Sequence, residues 1–130
     1  MKITLIPKTK TLLTGIASVL GCLVAGDLAS AASYSVKDLG TLGGTSSSAY
    51  GINASGQVVG NSNPAGSGAK RAFLYSNNVM TDLGTLGGGS SYATAINDAG
   101  QIAGSAFTAS NEWRAFRYSN GTMTDFKWWL

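Results

Sequence analysis

The chain has 130 residues, with nine Lys and Arg against six Asp and Glu, a net charge of +3, one cysteine and no histidine. Without histidine there is no Ser-His-Asp or Cys-His nucleophilic site, and one cysteine makes neither an internal disulfide nor a usual zinc ligand set. The excess of positive charge, which would otherwise suggest a polyanionic partner, is concentrated at the N-terminus.

Lys2, Lys8 and Lys10 give the chain a basic start, Thr11 to Ala25 is mainly apolar, and Ala29-Ser30-Ala31 offers small residues where a signal peptidase reads. Residues 1–31 therefore read as a helical secretory signal peptide cleaved after Ala31. The apolar run is shorter than the ~20 residues of a spanning helix, and Asp27 interrupts its end. Membrane contact is thus expected only during export, and the mature chain is expected to be secreted or periplasmic. Val19-Leu20-Gly21-Cys22 loosely resembles a lipoprotein processing box, with lipid attachment at Cys22 as the alternative. Leu20 fits the box poorly and the following residues stay apolar, so Cys22 reads better as a small residue inside the leader. Residues 32–130 then hold Lys37, Lys70, Arg71, Arg114, Arg117 and Lys127 against Asp38, Asp82, Asp98, Glu112 and Asp125. Six against five leaves +1, and no nucleic-acid partner is expected.

Beyond the leader the chain repeats itself. Asp38-Leu39-Gly40-Thr41-Leu42-Gly43-Gly44 returns 44 residues later as Asp82-Leu83-Gly84-Thr85-Leu86-Gly87-Gly88. Ile52-Asn53-Ala54-Ser55-Gly56-Gln57-Val58-Val59-Gly60 returns at the same offset as Ile96-Asn97-Asp98-Ala99-Gly100-Gln101-Ile102-Ala103-Gly104. Arg71-Ala72-Phe73-Leu74-Tyr75-Ser76-Asn77 returns as Arg114-Ala115-Phe116-Arg117-Tyr118-Ser119-Asn120 at an offset of 43, one residue having been lost from the loop between. A period of this size marks an array of supersecondary units.

Within each unit the turn residues set the strands. Asn53-Ala54-Ser55-Gly56 and Asn97-Asp98-Ala99-Gly100 tolerate positive φ, so 48–53 should pair with 57–62, and 92–97 with 101–107. A second hairpin should join 71–76 to 79–83 through Asn77-Asn78, and 114–119 to 122–126 through Asn120-Gly121. The heptapeptide is expected to form the sharp link between units, its glycines allowing close backbone approach. No stretch has helical period, so the fold class is all-β. It consists of two tandem four-stranded antiparallel repeats resembling β-propeller blades, repeat 1 about 38–81 and repeat 2 about 82–124.

Ser35-Val36-Lys37-Asp38-Leu39 aligns with the fourth strand of each repeat, and 125–130 reads as the start of a third repeat. Propellers need about 4–8 blades to close. The expected outcomes are a ring built by oligomerisation, a two-sheet sandwich, or a remnant of a longer array, with self-association through open edges.

These three blocks in fixed order, covering about Tyr34 to Phe126, resemble the extracellular HAF-repeat family, named for a His-Ala-Phe tripeptide. Arg71-Ala72-Phe73 and Arg114-Ala115-Phe116 stand in its place, with arginine for histidine in both copies. The resemblance implies an exported bacterial protein of tandem β-repeats and implies no reaction.

The residues themselves offer little chemistry, and no catalytic, cofactor-binding or metal-binding residue is assigned. Asp38, Asp82 and Asp125 recur at one position of the unit, which suits turn capping better than a glycosidase carboxylate pair. Asn97-Asp98 lacks the oxygen ligands of a calcium loop, and the glycines lack the Lys-Ser/Thr ending of a phosphate loop. Trp113, Trp128 and Trp129 are the candidate contacts for a protein or glycan ligand, Trp128 and Trp129 also being candidates for an interface to a neighbouring repeat. The expected function is a non-enzymatic exported repeat protein acting by binding or assembly, with 61–70 and 105–113 as its variable surface. The alternatives are a fragment of a larger hydrolase-like propeller and a structural protein of the cell envelope.

Overall fold

The computed structural model describes residues 6–7 and 33–129, with side chains over 33–127. The expected leader, Cys22 and the side chains of Trp128 and Trp129 otherwise lie outside the described residues. The chain divides into two compact units, one spanning Ile3–Lys37 and the other taking in Asp38–Leu130. In the first, β1 (Ile6–Pro7) pairs antiparallel with β2 (Tyr34–Ser35).

The second unit holds two four-stranded antiparallel sheets. Sheet 1 is the meander β3 (Gly43–Ile52), β4 (Val58–Pro64), β5 (Arg71–Ser76) and β6 (Val79–Asp82). Sheet 2 repeats it as β7 (Gly87–Ile96), β8 (Ile102–Thr108), β9 (Trp113–Ser119) and β10 (Thr122–Asp125), followed by a 3-10 turn over Phe126–Trp129. No α-helix occurs among the described residues.

The turns form where local chemistry directs them. Asn53 N–H donates to Gln57 O (3.1 Å) and Gly56 N–H to Asn53 O (3.0 Å), with Gly56 at φ +75°. Asn97, Gln101 and Gly100 repeat that arrangement, with Gly100 also at +75°. The tight hairpins place Asn77 and Asn78 at φ 51° and 65°, and Asn120 and Gly121 at 50° and 79°. Positive φ at both central residues matches the turn to the twist of the strands it joins.

Two expectations need correction. The first strand of each repeat starts at Gly43 and Gly87, five residues before the expected 48 and 92, so the heptapeptide's last two glycines belong to strands. Their pairing is interrupted by identical register shifts, between Gly43 and Ser47 and between Gly87 and Ser91. A Cβ on Gly88 would press on Phe107 Cβ at 2.5 Å, so close approach is required here within a strand rather than in a link. The link between sheets is Leu83 to Leu86. Second, the expected extra copy of the fourth strand over 35–39 is strand only at its start, in Tyr34–Ser35, and among the described residues no strand pairs with Val36–Leu39.

The sheets pack face to face. Paired residues share a face and alternate residues along a strand do likewise. On the forward face of sheet 1, Val59 pairs with Leu74 and Asn61 with Ala72. This face meets the rear face of sheet 2, where Ile102 pairs with Tyr118 and Ala106 lies two residues along the same strand from Gly104, the partner of Phe116. Val59, Ala72, Leu83, Ala93, Ile102, Ala106 and Phe116 form one buried core, with Leu74, Tyr118 and Met123 packed against it. Polar bonds close the junction: Ser91 N–H donates to Lys70 O, Leu83 N–H to Ala72 O, and Ala72 N–H to Ser91 Oγ, each at 2.9 Å.

Candidate functional site: the forward face of the second sheet

The recurrent aspartates do the same thing three times. Asp38 Oδ1 accepts from Gly40 N (2.9 Å), Asp82 Oδ1 from Gly84 N (2.8 Å) and Asp125 Oδ1 from Lys127 N (2.9 Å). Each carboxylate is committed to the backbone N–H two residues on, Asp82 and Asp125 at the ends of their strands and Asp38 outside any strand. Asp98 is engaged as well: its Oδ1 accepts from Ala54 N (2.9 Å) across the repeats, while Asn53 Nδ2 donates to Asn97 O (3.1 Å). The acid absent at position 54 is thus supplied to that turn by the next repeat. No cluster of three metal-ligating side chains occurs among the described residues.

Sheet 1 has its forward face closed by sheet 2, with Val59 and Ala72 wholly buried. The equivalent residues of sheet 2, Ala103 and Ala115, are exposed, as are Ala95 and Arg117. Register places Tyr92 beside Ser105, Phe107 beside Trp113, Ser105 beside Ala115, and Ala103 beside Arg117, all on this one face.

At one end of the face the aromatics form a cluster. Trp113 stacks on Phe107 with ring centroids 4.2 Å apart and planes 2° from parallel, and meets Tyr92 edge-on at 5.5 Å. Both arrangements suit the ring quadrupoles and hold the indole while half of it stays in solvent; Trp113 is 50% exposed. Beside it Arg114 Nη2 donates to Glu112 Oε2 at 2.8 Å. That hydrogen bond, with the charge behind it, lowers the Glu112 carboxyl below the usual glutamate range and raises Arg114.

At the other end lies a shallow pocket of about 280 Å³ lined by Ala95, Ile96, Ala103, Arg117 and Phe126, with Asn97 and Gln101 at its margin. Asn97 Nδ2 donates to Gln101 Oε1 (2.9 Å), which leaves Arg117 as the charged group of the pocket. Between the two ends, Ala103 and Ala115 form a flat floor.

Of the three tryptophans expected at a site, Trp113 stands on this face, while the side chains of Trp128 and Trp129 lie outside the described residues. The expected variable surface shrinks, since β4 runs to Pro64 and β8 to Thr108, leaving loops 65–70 and 109–112. Sequence reading missed Tyr92, Phe107, Arg117 and Phe126. The signal was present in a position-by-position comparison of the repeats, where they replace Ser48, Asn63, Leu74 and Leu83.

No family model, curated protein or solved structure matches the chain.

Proposed function

We propose that this protein is an exported, non-enzymatic module of the HAF-repeat type, built of stacked propeller-like blades, that acts by binding through the forward face of its second repeat. One observation carries the reading: the face that repeat 1 buries under repeat 2 is, in repeat 2, left open and lined by an exposed tryptophan, an alanine floor and an arginine. Exposed apolar surface of this kind marks contact sites. The three motif blocks in fixed order, and two similar sheets stacked through a four-residue link, support the blade-like architecture; the N-terminal pattern supports export.

Assembly of several copies is the second reading. It is favoured by the same open face, since the equivalent face of repeat 1 is the one on which the next sheet stacks.

Both readings meet in one experiment. The purified chain is screened on a glycan array and its mass is measured by light scattering, alongside Ala115→Glu, which sets a bulky charge in the middle of the open face. Loss of whichever association the parent shows, at unchanged thermal stability, is the expected outcome. An association that persists undiminished in Ala115→Glu, or a parent that stays monomeric and binds no glycan, overturns the proposal.

A further inference from the structure

Resting on that reading of the face, we infer that its ligand is an acidic oligosaccharide, with a sugar ring stacked on Trp113 and a carboxylate held by Arg117. The forward face of repeat 2 is not a second edition of the surface that holds a repeat. Where repeat 1 presents polar Ser48, Asn63 and Lys70, repeat 2 presents Tyr92, Phe107 and Trp113. Where repeat 1 presents aliphatic Val59 and Leu74, repeat 2 presents Ala103 and Arg117. Gly51, whose Cβ would lie 3.4 Å from Ala95 Cα in the neighbouring sheet, is replaced by Ala95 itself. The changes at Val59, Leu74 and Gly51 fall where the two sheets meet, and together the five side-chain replacements invert the polarity of the face from end to end.

What the changes create has its own logic. A pyranose ring carries C–H groups of partial positive charge on its flat side, which the negative face of an indole attracts. Trp113 is fixed in place by Phe107 and Tyr92, so little side-chain freedom is lost on stacking. Exposed alanines on the same face leave room for the rest of the ligand to lie flat. Arg117 is exposed and enters no ion pair among the described residues, where the pair formed is Glu112–Arg114. Its planar fork matches a carboxylate through two parallel hydrogen bonds. Trp113 and Arg117 are four residues apart on one strand, a separation of about 13 Å at ~3.3 Å per residue. That span suits a short oligosaccharide rather than a single sugar. The pocket beside Arg117 has room for one terminal ring.

The test is calorimetric titration of the full chain with a short oligogalacturonate, using an uncharged cello-oligosaccharide as control. The uronate is expected to bind, more weakly as salt rises. Trp113→Ala should weaken both ligands by about tenfold or more, as loss of an aromatic anchor does. Arg117→Gln should weaken the uronate about tenfold, leave the neutral sugar unchanged and abolish the salt dependence. Should Trp113→Ala fail to fold, Trp113→Phe keeps a ring, and Arg117→Gln at an exposed position decides alone. Failure of the uronate to bind at millimolar concentration, or binding indifferent to Arg117→Gln, overturns the inference. If the uronate fails while Ala115→Glu still abolishes self-association, the open face is a contact between copies: the binding face survives and the acidic sugar does not.

Discussion

Glu112 and Arg114 stand two positions apart at the start of β9, and their bond at 2.8 Å is what distinguishes this rim from that of repeat 1. The counterpart of Arg114 is Arg71, but the counterpart of Glu112 is Ala69. A carboxyl lowered by an arginine has the following sign. The stabilisation is present above the carboxyl's unfolded value and is lost as pH falls through the lowered folded one. The titration of Glu112, followed by carboxyl NMR, should therefore have its midpoint below the usual glutamate range and return to it in Arg114→Gln. The pair is solvent-exposed, so the effect on overall stability should be slight. That an arginine recurs at positions 71 and 114 was visible in the sequence, but the partner of Arg114 was not: it depends on which side chains the strand brings together.

At the scale of elements, the hairpins were legible because their turns are local. Asn-Asn and Asn-Gly accept positive φ wherever they occur, and the strands they join follow. The long first strands were not legible. Gly43–Ile52 and Gly87–Ile96 carry glycine and serine in their first halves, with no alternation to announce a strand, and their pairing is broken by register shifts. What holds that segment in place is tertiary. Ser91, fully buried, accepts from Ala72 N–H in the neighbouring sheet and donates to Gly84 O. Ser47, its counterpart, donates to Gly40 O at 2.7 Å. Ser91→Ala leaves the buried Ala72 amide and the half-buried Gly84 carbonyl without their partner and should cost about 1–3 kcal/mol in chemical denaturation, with Ser47→Ala costing less. Equal losses at the two positions would mean that the bond across the sheets contributes nothing. The tryptophan at the site was legible as a type, but the face it shares with Tyr92, Phe107 and Arg117 depends on register and stayed hidden.

For the molecule as a whole, one core serves both sheets. Val59, Ala72 and Leu83 come from one side and Ala93, Ile102, Ala106 and Phe116 from the other. Neither sheet buries these groups by itself, as in other stacked arrays where stability lives in the interfaces between repeats. Phe116→Ala should cost about 3–5 kcal/mol, and circular dichroism should show a single unfolding transition in both the parent and the variant. Two separate transitions would mean that the sheets are independent.

The bonds between the paired turns have a consequence for how such an array can be edited. Ala54 takes its carboxylate from Asp98, and Asn53 reaches forward to Asn97, so each contact points in one direction along the chain. Exchanging the two units in a recombined gene would keep every strand and every hairpin. It would put Ala54 where an acid is needed, and set Tyr92, Phe107 and Trp113 on the face over which the next sheet stacks. The units look interchangeable on paper, but their order is part of what the molecule is.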